Sequence, residues 1–291
     1  MIYQNTNKRP QMKNFFLCSF ASDDLYRSKT RFIKQASEMN IYEDIKVFKY
    51  ADLNKDKKEQ INLFLNKGNK RLFGYACWKP DIILSYLNKL PENSILQYSD
   101  IGCVFNPRGK SRLRQYVEIT EDMEILTFSY SQPDNDFNQN FKYQIYKEYQ
   151  YTKADLSSYL GIHDDSQILK TEQIWSGTMF FKNNLFTRKI LDEWSAICKI
   201  NDLIDDSNSK IINDKDFIEH RHDQSAFSLI CKKNNIFHLS VSECEWAEFQ
   251  NNRTWIHLKN YPILAMRDKK KNFFKRFISR QKKNINRLFR I

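Results

Sequence analysis

The chain contains 291 residues, of which 41% are hydrophobic and 28% are charged, so it can bury one large core or two small ones. Six glycines and six prolines exclude a collagen-like or low-complexity chain. No apolar run approaches the roughly 20 residues of a membrane-spanning helix, and the polar N-terminus favours a cytoplasmic protein. The six cysteines include no CxxC pair and are predicted to be buried, reduced thiols.

The net charge of +12 is concentrated at the C-terminus. Residues 267–291 contain eleven Lys or Arg and one Asp, a net +10, which leaves 36 basic and 34 acidic residues in 1–266. The apolar side chains of this segment recur at helical spacing, which predicts a basic amphipathic helix on an anionic membrane surface. Nucleic acid is not expected as a partner because the rest of the chain is nearly neutral. A solvated tail or a partner-binding helix is the remaining alternative.

Strand and helix patterns alternate along the rest of the chain. Strands are predicted at residues 14–20, 44–50, 94–98, 124–130 and 174–181, and helices at 22–39, 54–67, 81–90, 152–160, 183–200 and 222–233, with Thr152 as a helix cap. Residues 201–216 are predicted to form a polar loop. The alternation favours an α/β fold with a mainly parallel sheet covered by helices, and ligands at the carboxyl ends of its strands. We therefore expect one domain at 1–266, followed by the tail at 267–291.

Asp100 is the most informative single residue. It follows a predicted inner strand, and Gly102 comes two residues later. A carboxylate at this end of a strand, next to a glycine that lets a ligand approach the backbone, suits a bound phosphate or metal. A strand-ending turn is the common alternative. The two D-x-D triplets at 134–136 and 214–216 are predicted to be loop charges, and no GxGxxG, GxxxxGK[ST] or HExxH motif is present.

Three further segments each allow a functional and a structural interpretation. Asp223, at a predicted helix start, could bind sugar hydroxyls or act as a base, or could simply stabilise the helix. The segment 175–177 (WSG) offers a ring for sugar stacking and a glycine for close ligand approach, or alternatively a bulge and a core tryptophan. Lys79, at the start of a helix led by Pro80, could attract phosphate or belong to a packed aromatic loop.

Taken in order, five segments resemble a known family. FASDDLYRSKTRF (20–32), GYACWKP (74–80), ILQYSDIGC (95–103), QIWSGTMFFKNN (173–184) and RHDQSAFSLICKK (221–233) resemble the bacterial GT-A-fold glycosyltransferases of capsule, O-antigen and lipooligosaccharide synthesis. They are distantly similar to the lipopolysaccharide galactosyltransferases. The resemblance covers roughly residues 14–240. It implies a GT-A fold and transfer of a hexose, galactose-type favoured, from a UDP-sugar to a hydroxyl of a growing lipid-linked glycan. Such an enzyme would be peripheral to the inner face of the plasma membrane.

The resemblance also implies roles for individual residues. Asp223 and Gln224 would act on the transferred sugar or the attacking hydroxyl, with Asp223 as the base of an inverting enzyme or the sugar-positioning group of a retaining one. Asp100 matches the first acid of the family's D-x-D metal motif, whereas Gly102 replaces the second. A Mn²⁺ or Mg²⁺ ion is implied, held by Asp100 and a late histidine, His257 or alternatively His238. The implied donor-binding residues are Phe20, Ala21, Ser22, Arg27, Lys29, Lys79, Tyr98, Ser99, Asp100, Gly102, Ser176, Gly177 and His222.

Two other functions stay open at this point. One is a non-catalytic adaptor that binds a membrane or nucleic acid through the basic tail. The other is a phosphotransferase on a related scaffold.

Overall fold

The computed structural model describes residues 14–69, 71–133 and 140–267. The strands are β1 (Phe15–Phe20), β2 (Asp44–Phe48), β3 (Ile95–Ser99), β4 (Val104–Phe105), β5 (Ile125–Ser129), β6 (Phe141–Lys142), β7 (Ile174–Lys182), β8 (His238–Ser240), β9 (Ala247–Phe249), β10 (Asn252–Thr254) and β11 (Ile263–Leu264). The helices are α1 (Tyr26–Glu38), α2 (Lys55–Asn66), α3 (Leu72–Tyr75), α4 (Lys79–Leu87), α5 (Lys110–Met123), α6 (Glu148–Tyr151), α7 (Ala154–Tyr159), α8 (Ser166–Leu169), α9 (Leu185–Cys198), α10 (Asn201–Ile204) and α11 (Asp223–Lys233). The D-x-D triplet at 134–136 and the basic tail beyond residue 267 lie outside the described residues, so both expectations stay predictions.

Six strands form the central sheet, in the order β2–β1–β3–β7–β5–β8. Strand β1 is parallel to β2 and β3, and β5 is parallel to β8, whereas β7 runs antiparallel to both of its neighbours. The expected α/β fold with a mainly parallel sheet is confirmed. Because β7 runs against β3, the first residues of β7 lie at the same sheet edge as the carboxyl ends of β1 and β3.

Two hydrophobic cores cover the faces of this sheet. Along β1, Phe16 and Cys18 enter the core formed with α2, α4, α9 and α11, whereas Phe15 and Leu17 enter the core formed with α1 and α5. This alternation is the period-two pattern of a strand that is buried on both faces. All six cysteines are buried free thiols, as the sequence predicts.

Some predicted boundaries differ from the structure. Thr152 does not cap α7, because the N-cap position is occupied by Lys153, and the Thr152 hydroxyl donates to Glu148 Oε2 at 2.9 Å instead. The region expected to be a polar loop begins with the short helix α10. Helix α5 was not predicted, although Leu113, Tyr116 and Val117 are spaced as on one buried helix face.

Gly109 fixes the contact between the start of α5 and the chain before β11. A Cβ added to Gly109 would lie 2.2 Å from the Pro262 nitrogen and 2.3 Å from the Tyr261 carbonyl carbon. Both contacts are with backbone, so we expect Gly109→Ala to lower the free energy of unfolding by about 3 kcal/mol.

Gly68 is the matched control. It has φ of +80°, and no atom lies within 4 Å of a Cβ added there. Gly68→Ala should therefore cost only about 1 kcal/mol, from backbone strain alone. Urea denaturation measures both, and equal losses would contradict the packing role of Gly109.

Candidate active site

A lysine ammonium lies between two carboxylates at the edge of the sheet where β1 and β3 end and β7 begins. Lys79 is 3% exposed, and its Nζ lies 2.7 Å from Asp223 Oδ2 and 3.5 Å from Asp100 Oδ1. The same nitrogen donates to the carbonyl oxygen and the hydroxyl of Ser176 at 3.1 and 3.2 Å. A buried charge without partners would cost several kcal/mol, so these acceptors are what allow the ammonium to be buried.

Local sequence explains why Lys79 stands here. It is the first residue of α4, and Pro80 follows in the first turn, where the missing N–H removes no helical hydrogen bond. The preceding Trp78 stacks on Phe20 at the end of β1, with ring centroids 3.9 Å apart. This stacking holds the start of α4 against the sheet edge.

Asp223 is the buried acid of the site. It is the first residue of α11 and 1% exposed, and its Oδ2 accepts hydrogen bonds from Lys79 and from the Ser176 hydroxyl at 3.0 Å. Trp194 Nε1 donates to its backbone carbonyl at 3.0 Å. Burial raises the pKa of Asp223, while Lys79 acts in the opposite direction. Among the described residues, none hydrogen-bonds Oδ1, so this oxygen keeps its capacity to accept a hydrogen bond.

The residue before Asp223 has a strained backbone. His222 has φ of 56° and ψ of −123°, a combination that a side chain makes unfavourable. Its ring is held by a 2.7 Å hydrogen bond to the Ile204 carbonyl and by contact with Tyr75. Burial lowers the pKa of His222 to about 4, so the ring is neutral at pH 7. The contacts described for His222 therefore anchor α11 to α10, and its expected contact with a donor stays a prediction.

Asp100 is the accessible acid of the site. Its side chain is 46% exposed, and Oδ1 accepts a hydrogen bond from the Tyr98 hydroxyl at 2.7 Å as well as facing Lys79. The backbone is fixed on both sides, because Asp100 N donates to Gly177 O and Cys103 N donates to Asp100 O, each at 2.8 Å. The structure thus joins the turn after β3 to the beginning of β7.

Arg31 is a residue of this site that the sequence analysis missed. It projects from α1, is 9% exposed, and donates to the carbonyl oxygens of Ile101 at 2.7 Å and Cys103 at 2.6 Å. Two strong hydrogen bonds from one guanidinium brace the turn that presents Asp100. The local pattern of α1 gives no signal for this role, because the acceptors of Arg31 lie 70 and 72 residues further along the chain.

Gly177 and Gln224 make contacts within the protein. A Cβ added to Gly177 would lie 2.1 Å from the indole ring of Trp175, so a glycine is required for that ring to pack. Trp175 is itself only 7% exposed, which places it in the core rather than open for sugar stacking. Gln224 donates to Gln173 Oε1 at 2.6 Å, and its Oε1 lies 3.5 Å from Ser176 N. Gln224 therefore lies beside the group formed by Lys79, Asp100 and Asp223, the Lys79 cluster.

The segment after β1 begins at the same edge of the sheet as Asp100. Cys18 of β1 is in register with Tyr98 of the parallel strand β3, so Phe20 at the end of β1 and residues 21–22 after it lie next to the Asp100 turn. Arg27 is exposed and donates to the Tyr26 hydroxyl at 2.8 Å, while Lys29 is partly buried on α1. This arrangement is compatible with nucleotide binding, which stays a prediction. Ser99 is buried and shares a 2.7 Å hydrogen bond with Thr178 inside the sheet.

The predicted metal site offers one accessible carboxylate, Asp100, so a cation there would need further ligands from phosphate and water. His257 Nε2 lies 3.1 Å from the Glu245 carbonyl oxygen, and its ring packs against Phe141. Within the described part of the chain, no three His, Cys, Asp or Glu side chains are grouped closely enough to hold a metal ion. A Mg²⁺ or Mn²⁺ ion can, however, be held by one carboxylate together with phosphate oxygens and water. Asp100 therefore suits a cation that arrives with a diphosphate, and the role of His257 stays a prediction.

No protein-family model and no curated protein sequence matches this chain. Among solved structures, the chain is similar to a glycosyltransferase involved in the glycosylation of the major capsid of PBCV-1. The two are 10% identical over 88% of this chain and 94% of that chain, with a TM-score of 0.43. It is also similar to mouse xyloside xylosyltransferase 1 in its apo form, at 10% identity over 79% and 86% of the two chains, with a TM-score of 0.37. At such low similarity, function has to be inferred from the residues of the site.

Removing the Lys79 ammonium should make stability strongly dependent on pH. In Lys79→Met the Asp223 carboxylate is buried without its main counter-charge, and we expect a loss of about 4 kcal/mol at pH 8. The folded variant binds a proton on Asp223 more tightly than the unfolded chain does. Its free energy of unfolding should therefore rise relative to wild type as the pH falls towards the raised pKa of Asp223.

The matched control is the double variant Lys79→Met/Asp223→Asn, which removes the charge as well as its partner. We expect it to regain most of the lost stability at pH 8. Urea denaturation between pH 5 and pH 8 tests both variants. Wild-type stability of Lys79→Met at pH 8 would show that the two charges do not depend on each other.

Proposed function

We propose that the protein transfers a hexosyl group from a UDP-sugar to a hydroxyl of a glycan acceptor. The observation that carries this proposal is the Asp223–Lys79–Asp100 cluster at the edge where β1 and β3 end. A UDP-sugar has a diphosphate next to a ring that carries hydroxyls. The exposed carboxylate of Asp100 suits a cation bound to the diphosphate, and the buried, fixed carboxylate of Asp223 suits the hydroxyls of the ring. The resemblance of five sequence segments to GT-A-fold glycosyltransferases supports the same activity.

Asp223 acts on the sugar in this proposal. Lys79 and Ser176 occupy Oδ2, which leaves Oδ1 to accept a hydrogen bond from a sugar hydroxyl. A carboxylate that is fixed in advance loses little freedom when the sugar binds, so its contact can orient the anomeric carbon for attack. The Lys79 ammonium at 2.7 Å stabilises the ionised form of Asp223 and so weakens this carboxylate as a base. The geometry therefore favours positioning of the donor sugar over general-base catalysis.

Asp100 acts on the leaving group. It would be the protein ligand of a Mg²⁺ or Mn²⁺ ion, which when bound would neutralise charge on the departing diphosphate. Tyr98 and Lys79 orient its carboxylate, and Arg31 holds the turn that carries it. We expect the uridine to lie on the neighbouring segment of residues 20–29.

The acceptor and the location in the cell are inferred from sequence. The resemblance favours a growing, lipid-linked surface glycan of a bacterium, and the basic segment at 267–291 favours attachment to the inner face of the plasma membrane. In the part of the chain that the structure describes, no helix is both long enough and apolar enough to cross a bilayer.

The function is tested by turnover of a UDP-hexose panel with Mn²⁺ or Mg²⁺, followed as release of UDP. In Asp223→Asn we expect turnover to fall by at least about 100-fold, because an amide cannot accept bonds from Lys79, Ser176 and the sugar together. The affinity for UDP, measured by calorimetry, should change by less than about threefold, because UDP lacks the sugar.

Asp81→Asn is the matched control for this variant. Asp81 forms a comparable ion pair with the buried Lys57, at 3.1 Å, but is not part of the Lys79 cluster. We expect Asp81→Asn to lose stability and to retain turnover per folded molecule. A wild-type protein that neither binds UDP nor releases it from any UDP-hexose would disprove the proposed function.

A further inference from the structure

The Lys79 cluster alone has the wrong charge for a diphosphate. With both carboxylates ionised, two aspartates and one lysine sum to −1. A diphosphate is itself an anion, and like charges a few ångströms apart repel strongly in a partly buried site. The divalent cation proposed for Asp100 would raise this sum to +1, whereas the diphosphate of a UDP-sugar carries about −2. Positive groups besides Lys79 and the cation are therefore needed beside Asp100.

Arg267 follows β11, the strand that pairs with the short strand β4 after the Asp100 turn. Strand β11 pairs antiparallel with β4, with Leu264 opposite Val104. The chain turns after Leu264, because Met266 N donates to Leu264 O and Ala265 N donates to Cys244 O, each at 2.8 Å. Burial lowers the pKa of Arg267, whereas the carboxylates of Glu245 and Asp100 raise it, as acids near a guanidinium do. The Arg267 side chain is 66% exposed, and its Nη2 lies 3.5 Å from Glu245 Oε2.

Arg221 lies two residues before Asp223, just ahead of α11. Its guanidinium carbon lies 3.9 Å from the ring centroids of both Tyr146 and Tyr151. Contact with two aromatic rings fixes the plane of the guanidinium and leaves its edge for hydrogen bonds. The ion pair of Arg221 with Glu219 is long, at 3.5 Å.

The two arginines face a common tyrosine. The Arg221 guanidinium lies 5.8 Å from the Tyr130 ring, which in turn contacts Tyr146. Burial raises the pKa of Tyr130, and Arg221 and Arg267 both oppose that rise, as cations close to its hydroxyl do. Arg221 and Arg267 thus both act on Tyr130, and Arg221 lies two residues before Asp223 of the Lys79 cluster.

The ion pairs of both arginines are long. Their carboxylate contacts are 3.5 Å long, whereas Arg112–Glu243 and Arg188–Glu92 measure 2.6 Å. Strong charge-assisted hydrogen bonds have lengths of about 2.7–2.9 Å. An incoming phosphate can therefore form better bonds with Arg221 and Arg267 than their present partners do.

We propose that Arg221 and Arg267 form a phosphate-binding subsite beside the Asp223–Lys79–Asp100 cluster. The proposal rests on the proposed function for its ligand, which is the diphosphate of the donor or the phosphate of a lipid-linked acceptor. Both ligands present the same phosphate oxygens to a guanidinium. The donor diphosphate is favoured by the charge of the cluster.

The test is calorimetric binding of UDP, inorganic pyrophosphate and decyl phosphate to the full chain and to Arg221→Gln and Arg267→Gln. A donor subsite predicts that each substitution weakens binding of UDP and pyrophosphate about tenfold. An acceptor subsite predicts the same loss for decyl phosphate with UDP unchanged. Arg112→Gln is the control, because Arg112 also contacts a tyrosine and a glutamate but already has a short ion pair with Glu243, at 2.6 Å. Unchanged binding of all three probes in both variants would overturn the subsite.

The failure of this subsite can be told apart from failure of the proposed function. Equal UDP binding in wild type and both variants, with turnover of a UDP-hexose intact, would remove the donor subsite and leave the function standing. If pyrophosphate bound through the arginines and UDP did not bind at all, the phosphate-binding subsite would stand and the proposed function would fall. Arg221 also packs between two rings, so unfolding of each variant is followed by calorimetry. Arg267, which is mostly exposed, keeps the test valid if Arg221→Gln does not fold.

Discussion

The positive charge of Lys79 has to be neutralised where it is buried, and the rest of the site follows from this requirement. Its acceptors come from three separate parts of the chain: Asp223 from the start of α11, Asp100 from the turn after β3, and Ser176 from β7. A missing partner would leave a buried charge and cost several kcal/mol, so these elements must reach their positions together. The contacts that stabilise this edge of the sheet are therefore the same contacts that fix the candidate catalytic groups.

The direction of β7 makes this meeting possible. Since β7 runs against β3, its first residues lie beside the last residues of β3, and Asp100 N can bond Gly177 O. If β7 were parallel to its neighbours, Ser176 would lie at the opposite edge of the sheet. Arg31 completes the arrangement from α1 by holding the carbonyl oxygens around the Asp100 turn. A mainly parallel sheet thus gains a site of three converging elements through one reversed strand.

The sequence predicted what depends on local pattern and could not predict what depends on tertiary contacts. The strand expected at 94–98 is found at Ile95–Ser99 and the helix expected at 222–233 at Asp223–Lys233, because buried apolar residues recur there with a clear period. The sequence indicates Asp100 and Asp223 as candidate site residues because they lie at the ends of such elements, and Lys79 because it stands at a helix start. The binding of Asp100 and Asp223 by the Lys79 ammonium depends on tertiary contacts that the sequence does not show. Arg31 and Arg221 were missed for the same reason, since their partners are backbone carbonyls and rings from distant segments. Helix α5 was overlooked even though its buried positions have helical spacing.

The most direct measurement is a crystal structure of the protein with an unhydrolysed UDP-hexose and Mg²⁺. We expect a hydroxyl of the hexose within about 3 Å of Asp223 Oδ1, while Oδ2 remains bonded to Lys79 and Ser176. We also expect the diphosphate on the side of Asp100. A hexose bound away from the Lys79 cluster, or a bound state in which the Lys79–Asp223 ion pair is broken, would contradict the central role given to that pair.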